Sequence, residues 1–541
     1  SSASRSKGLV RALWSREAVP YWLVFGVALT VRLLHHEFMR TNSPLYCFFL
    51  PGGDSHGFDR WALEIAQTFW LGWDRLPFYQ GPLYPYFLAM VYLRFGHNPT
   101  AALLAQHFLG ALSVLLVYSL GRRAFGKTVA WMSGLAAAFT PLYLLFEGEV
   151  LSDSLILFTI VLMLRLLVYA ADKNTLGAWA WCGFVLGLTG LGRPNTLVFV
   201  PVAGLWCWAV TSGNRPGTSF AEDAHDSPAR EGRSLTAIAP LVVFLAATGL
   251  TVAPVTLLNY VSSGKLIPIS SNGPIALYIG NAHDATGTYA RPLSMVEILK
   301  NTTEDEKEIA WMGHLARSIR QHPWSLPRNL LKKACLFWQH GEIPHNVNFY
   351  LMRRFSPFLR TPLTFGVLTP LGIVGILLVF ARREERRVSN PKVMLTIFMA
   401  TYFLGFVPCF IVARYRLCVL AVMTPFAAYA LVEWVRMVAQ AFKQYRRGCH
   451  GSDVRVCAKP LAVFLIWCGI ELCVQTGDES LLIRWNDHYN LAGAYEWQGR
   501  LAEAEQEYAA ALELAPEIKA LEQARDRVAA RAAAGAGPRR P

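Results

Sequence analysis

Charge is scarce in this chain. Of its 541 residues 16% are Asp, Glu, Lys or Arg, against about a quarter in soluble domains, while 53% are hydrophobic and the mean hydropathy is +0.30. No single soluble core of that charge buries so much apolar material, which leaves a polytopic membrane protein. Paired cysteines are missing too: ten are scattered mostly inside apolar runs, with no CxxC and no repeated spacing, so neither a disulfide framework nor a zinc site is expected. No basic-aromatic motif accompanies the formal charge of +14, so nucleic acid is not a partner. The Lys and Arg residues cluster between apolar runs and face a membrane surface instead. A GxxxxGK[ST] loop is absent, as is an Asp-x-Asp pair placed to hold a metal-bound diphosphate, which argues against nucleotide substrates. The first apolar run follows Arg5, Lys7, Arg11 and Arg16, and no small-residue cleavage site comes after it, so it reads as a retained anchor.

Apolar runs of spanning or near-spanning length lie at 21–36, 101–120, 129–146, 154–170, 177–191, 196–210, 235–257, 362–381, 393–413, 417–435 and 460–476. The run 81–95 is shorter, is broken by Pro82 and Pro85 and contains Arg94. If it does not cross, the basic loops at 122–127, 382–392 and 436–459 all fall on the side of the basic N-terminus, as the positive-inside rule requires. The expectation is therefore an all-α bundle of about eleven helices, with 81–95 interfacial or re-entrant, the N-terminus cytoplasmic and the C-terminus periplasmic. Its divisions are a catalytic membrane module at 1–257 with an outer loop at 37–100, an outer loop domain at 258–361, further membrane helices at 362–476 and a helical tail at 477–541. The polar loop 211–234 is expected to be disordered.

This topology gathers ionisable residues on the outer face. Asp54 opens a stretch in which Phe58, Trp61, Ala62, Ile65 and Phe69 recur at helical spacing, as in a helix lying in the membrane interface. Glu147, Glu149 and Asp153 share one turn, Arg193 sits in GRPN, and Arg414 and Arg416 flank Tyr415. Ionisable groups at membrane depth are costly and mark functional sites by default. Each has an ordinary reading as well: Asp54 and Asp153 stand where helix N-caps stand, and arginines at helix ends snorkel to headgroups. His340, Glu342 and His345 lie together in QHGEIPH, but such spacing in a loop is usually polar contact, and no metal is assigned. In the tail, Leu491, Ala492, Tyr495, Gly499, Ala504, Tyr508, Ala511 and Pro516 follow the tetratricopeptide pattern, with His488 in place of the usual aromatic. One repeat cannot bury its own apolar face, so it must pack on the rest of the chain, on its helical continuation 517–531 or on a protein partner.

Taken in order, GGDSHGFDRWA, QGPLYPYFLA, GRRAFG, LSDSLILF, GLGRPN and ARYRLCVL resemble the lipid-linked-sugar transferases of the GT-C superfamily. The nearest branch is glycosyltransferase family 39, which includes protein O-mannosyltransferases and the aminoarabinose transferase of lipid A. The resemblance runs over about 21–257 and the Arg414 region; Asp54-Ser55 replaces the family's acidic pair and Gly81-Pro82 its frequent Pro-Pro. It implies transfer of a sugar, with inversion, from a polyprenyl-phosphate donor to a protein, lipid or glycan at the outer face of a cell inner membrane, or in the endoplasmic reticulum if the source is eukaryotic. Asp54 would be the general base, with Asp153 or Glu149 positioning acceptor or sugar. Arg193 and Arg414, then Arg416 and Arg32, would clamp the phosphate, and no cofactor is required. The rival readings are a lipid-linked-glycan flippase or transporter, which should show repeated halves with interrupted helices, and a non-catalytic scaffold recruiting through the tail.

Overall fold

The computed structural model describes residues 17–50, 52–68, 77–212, 229–301, 304–446 and 482–534. The expected span at 460–476 and most of the loop 211–234 lie outside the described residues. Regular structure among the described residues is helical throughout.

Helix α1 (Val19–Asn42) shows what solvent the bundle is built for. Val24, Ala28, Val31, Arg32, His35, His36 and Met39 recur every three or four residues and are buried, while Trp22, Leu23, Leu33, Leu34 and Phe38 are exposed. Arg32, His35 and His36 face in while large apolar side chains face out, an arrangement that suits lipid around the helix. Helix α2 (Asp54–Gln67) follows, and α3 (Leu83–Phe95) packs on it, with the rings of Phe58 and Tyr84 5.1 Å apart. At 13 residues α3 is about 20 Å long, short of the ~30 Å hydrocarbon layer.

Among the described residues five stretches are long and apolar enough to cross a membrane: Pro99–Phe125 (α4), Asp153–Lys173 (α7), Pro194–Thr211, Ile238–Ser263 and Ala413–Gln440. The run 129–146, expected as one span, comprises α5 (Lys127–Ala138) and α6 (Pro141–Glu147), which together are long and apolar enough to cross but are bent by 48°, as in a broken span or a re-entrant loop. Pro141 supplies no N–H, and the Thr140 hydroxyl donates back to the Ala136 carbonyl, so α5 closes there. Helix α8 (Leu176–Gly192) leads to Arg193; α9 (Phe199–Thr211) and α10 (Ala229–Ser263) follow. Helix α10 lies against α8 so closely that a Cβ on Gly183 would strike the Phe244 carbonyl. The chain is a multi-pass membrane protein.

The segment 258–361, expected as the outer domain and called the outer segment for that expectation, contributes α11 (Gly273–Asn281), α12 (Leu293–Asn301), α13 (Glu304–Gln321), α14 (Ser325–Trp338) and the single turn α15 (Phe349–Met352). It reaches into the bundle where the run 393–413 departs from expectation. Helix α17 (Pro391–Phe406), which follows α16 (Phe365–Ala381), stops seven residues early; beyond it Ile411 N–H donates to the Gly287 carbonyl and Ala413 N–H to Ile343, at 2.9 Å each. Pro408 cannot continue the helix, and its freed carbonyl accepts from Asn281 (2.6 Å) and from the buried Lys333 ammonium (3.2 Å). Helix α18 (Leu417–Arg446) then runs back through the core.

The tail comprises α19 (Trp485–Trp497), α20 (Leu501–Leu514) and α21 (Lys519–Ala533), with Gly499 at φ +78° in the first turn. Ala492, Leu501, Ala504, Tyr508, Ala524 and Val528 form its core. Leu491 and Ile483 are buried instead against Leu351, with Leu45, Tyr350 and Phe355 around them.

Candidate active site

Four helix ends meet where the membrane bundle joins the outer segment. Asp54 is the first residue of α2 and Asp153 the first of α7; Arg193 closes α8, and Arg414 lies in the 3-10 turn Ala413–Arg416 that enters α18. Neither acid caps its helix, since the cap positions are Gly53 and Ser152. The Asp54 carboxylate takes Arg414 Nη1 at 2.9 Å and Asn346 Nδ2 at 2.7 Å on Oδ2, and Gln80 Nε2 at 3.1 Å on Oδ1. Asp153, fully buried, takes Arg193 Nη2 at 2.5 Å on Oδ1, and Arg414 Nη1 stands 4.0 Å from its Oδ2. Two acids and two arginines thus form one continuous and formally neutral quartet. Tyr415 lies between the cations, its ring centre 5.0 Å from the Arg193 guanidinium and 5.6 Å from that of Arg414.

The segment before α3 is pinned to make this possible. Buried Asn259 at the end of α10 accepts from Phe78 N–H, Ser271 N–H donates to the Phe78 carbonyl and Asn272 N–H to that of Tyr79, which aims Gln80 at Asp54. Gly81 then passes over the end of α8: a Cβ there would sit 2.5 Å from the Leu191 carbonyl oxygen and 2.6 Å from that of Gly192. The glycine standing where the family has proline is therefore a close-approach residue beside Arg193.

Burial pushes the Asp54 carboxyl up, but Arg414 and the donated bonds from Asn346 and Gln80 outweigh it and hold the group well below the usual carboxylate range. His345, beside Asp54 and Arg414, is driven the other way by burial and then by Arg414, to about 3, so its ring is neutral. Glu149 sits in the turn before α7. Its backbone carbonyl accepts from Gln106 at 2.7 Å, its carboxyl has no partner among the described residues, and burial pushes that carboxyl up to about 8. Arg414 Nε is buried and makes no hydrogen bond.

Of the residues singled out from the sequence, Asp54, Asp153, Arg193 and Arg414 come together, and Arg32 and Arg416 do not join them. Arg32 is wholly buried and paired with Glu147 at 2.7 Å, which takes both out of the expected convergence and leaves nothing to snorkel. Arg416, two residues past Arg414 on a turn of three residues, points elsewhere: it pairs with Glu342, donates to the Gln339 and Gly341 carbonyls at 2.7 Å each, and lies over Phe365. Sequence reasoning missed Gln80 and Asn346. Gln80 stood in a quoted family segment without a role; Asn346, 292 positions from Asp54, carried no signal.

Residues 79–222, about a quarter of the chain, match the family described as dolichyl-phosphate-mannose-protein mannosyltransferase. The stretch contains Gln80, Gly81, Asp153 and Arg193. Among solved structures, the chain is similar to the archaeal oligosaccharyltransferase AglB from Archaeoglobus fulgidus in complex with an inhibitory peptide and a dolichol-phosphate. That likeness has 15% identity and a TM-score of 0.44 and covers 92% of this chain and 60% of that one. It is similar also to ArnT from Cupriavidus metallidurans bound to undecaprenyl phosphate, at 14% identity and a TM-score of 0.42, covering 84% of this chain and 71% of that one. The chain thus spans about three fifths of the oligosaccharyltransferase. No curated protein matches it by sequence.

Proposed function

We propose that this chain is a membrane glycosyltransferase that moves one sugar from a polyprenyl phosphate to a nucleophilic acceptor, with Asp54 as general base. The observation that carries the reading is the quartet of Asp54, Arg414, Asp153 and Arg193 at the junction of bundle and outer segment. The acceptor's oxygen or nitrogen attacks the anomeric carbon opposite the phosphate and its proton passes to an Asp54 oxygen. The bond from anomeric carbon to phosphate oxygen breaks with its electron pair going to the phosphate, so configuration inverts.

The quartet suits that step because it is balanced only while empty. A carboxylate held so low in pKa is a poor base, and Arg414 is the strongest of the groups that hold it there. A phosphate arriving beside Arg414 shares its guanidinium, whose Nε is without a bond, and loosens its hold on Asp54. The leaving group thereby raises the basicity of the residue that needs it. Arg193 supplies the second cation, and the neutral Glu149 carboxyl offers an O–H to a sugar or phosphate oxygen.

Asp54→Asn keeps the shape and one of the two amide contacts, the other having been made on the second oxygen, but removes the proton acceptor. The purified variant is expected to fold, to bind a polyprenyl-phosphate sugar, and to lose on the order of 100- to 10,000-fold in transfer. Near-normal turnover would return Asp54 to a structural role.

A further inference from the structure

The segment 345–351 is held on two sides. On one, Asn346 Nδ2 donates to Asp54 Oδ2 at 2.7 Å, and the His345 ring stacks edge-on to Tyr289 with centres 4.2 Å apart. On the other, the tail grips it. Asn348 is buried; its side-chain oxygen accepts from the backbone N–H groups of Tyr350 and Leu351 to start α15, and its Nδ2 donates to the Leu482 carbonyl at 2.9 Å and to Asp487 Oδ2 at 2.7 Å. Asp487, also buried, is forked by Arg484, whose Nη2 reaches the His345 carbonyl at 3.3 Å. Leu351 completes the grip by packing on Ile483 and Leu491.

One residue, Val347, separates the group that touches Asp54 from the group that touches Asp487, two positions and a chain length of about 7 Å at full extension. With one end fixed by a buried charge-assisted bond and the other by a half-buried one, that length has little slack to absorb a shift of the tail. We propose that the C-terminal helical tail positions the active site: by clamping His345 and Asn348 through Arg484 and Asp487 it fixes Asn346, which sets the direction of the Asp54 carboxylate. Asn346 and Asn348 are positioning residues. The inference rests on Asp54 being the base, and it makes the tail part of the catalytic geometry, beyond any recruiting role.

The test uses the full-length enzyme with a polyprenyl-phosphate sugar and compares Asn346→Ala, Asn348→Ala, Asp487→Ala and Asp487→Asn. The three alanine variants are expected to lose on the order of 10- to 100-fold in kcat, the scale of a small misplacement of a reacting group, with KM for the donor within about two-fold of wild type. Asp487→Asn keeps an acceptor oxygen for Asn348 and should recover most of the loss. The acid limb of the kcat profile should move up in Asn346→Ala, because the charged carboxylate loses a donated bond while Arg414, His345, Gln80 and the Arg193–Asp153 pair still face it. Added to Asp54→Asn, Asn346→Ala should cost nothing further. Alanine variants that melt lower yet keep wild-type kcat and acid limb would make the clamp merely structural and overturn the inference. Should Asp487→Ala fail to fold, Asn346→Ala decides, since Asn346 is partly exposed and its side-chain bond goes to Asp54. An inactive Asp54→Asn beside a wild-type-like Asn346→Ala defeats this inference alone; an active Asp54→Asn defeats the reading beneath it.

Discussion

At the scale of single residues the two arginines differ in what they leave behind. Arg193→Ala strands Asp153, which is wholly buried, and removing one partner of such a pair costs about 3–5 kcal/mol. Arg414→Ala strands Asp54, which keeps Gln80 and Asn346 and is partly exposed, so the loss of stability should be smaller while donor binding weakens at least as much. Lysine at either position restores charge without the fork and should rescue only in part. Melting temperature and donor affinity measured together separate the two, and unchanged donor binding in both alanine variants would place the phosphate elsewhere. Glu149 gives a second check with a definite sign. Its carboxyl rises from an ordinary 4.5 to about 8 on folding, so the folded protein keeps a proton that the unfolded chain has lost, and this contribution to stability falls as pH rises from about 4.5 through 8. Glu149→Gln has no proton to lose. Its melting temperature should therefore gain on wild type steadily between about pH 5 and 8, and a constant gap would mean that the carboxyl is solvated. These four residues were legible as candidates because charge in an apolar chain is conspicuous. Which acid meets which arginine was not, because a pair such as Asp54 and Arg414 is 360 positions apart and its geometry is fixed by loops whose sequence has no period.

At the scale of elements, period and length carried the reading and punctuation limited it. The runs 154–170 and 177–191 appear as α7 and α8 within a few residues, although of the two only α7 is long enough to count as a crossing by length and composition. The two departures, the bend at Pro141 and the early end of α17 before Pro408, are both prolines inside runs that hydropathy alone read as continuous. The amphipathic α2 was visible from its spacing, yet the reading of Asp54 as its cap was natural and is not what the side chain does. Gly81 shows how an element's placement sets the site. It lets the Gln80 segment lie on the end of α8, and a single methyl there meets two backbone carbonyls that cannot step aside as a flexible side chain would. Gly81→Ala should therefore leave the bundle folded but displace Gln80 from Asp54 and disturb Arg193. We expect a fall in kcat on the order of 10- to 100-fold, larger than that of Gln80→Ala, which loses one hydrogen bond only. A Gly81→Ala enzyme no worse than Gln80→Ala would show that the contact is relieved without moving the site.

At the scale of the whole molecule the bundle has two unlike poles. At one, Arg123 pairs with Asp172 at 2.5 Å, Arg382 with Glu433 at 2.6 Å and Lys392 with Glu385 at 2.6 Å; Lys392 also lies over Phe125 and Tyr429, and Arg122 over Tyr21 at the start of α1. These are the far ends of α4, α7, α16 and α18 and the near ends of α1 and α17. At the other pole stand the start of α7 and the end of α8 with Asp153 and Arg193, the end of α17, and the turn carrying Arg414. The tail belongs to this second pole, because Gln498 donates to the Pro44 carbonyl just past α1 and Arg354 stands 4.0 Å from Glu507. A membrane around such a bundle must give the poles to opposite sides, and the positive-inside rule assigns the arginine- and lysine-rich one to the cytoplasm. On that assignment the quartet, the segment 258–361 and the tail would share the far side, the side on which the proposed transfer would take place. A reporter active only outside the cytoplasm should accordingly light up when fused after Ala533 and stay dark when fused after Lys392. The reverse pattern would turn the molecule over, put Asp54 and its arginines in the cytoplasm, and require a donor presented on that side.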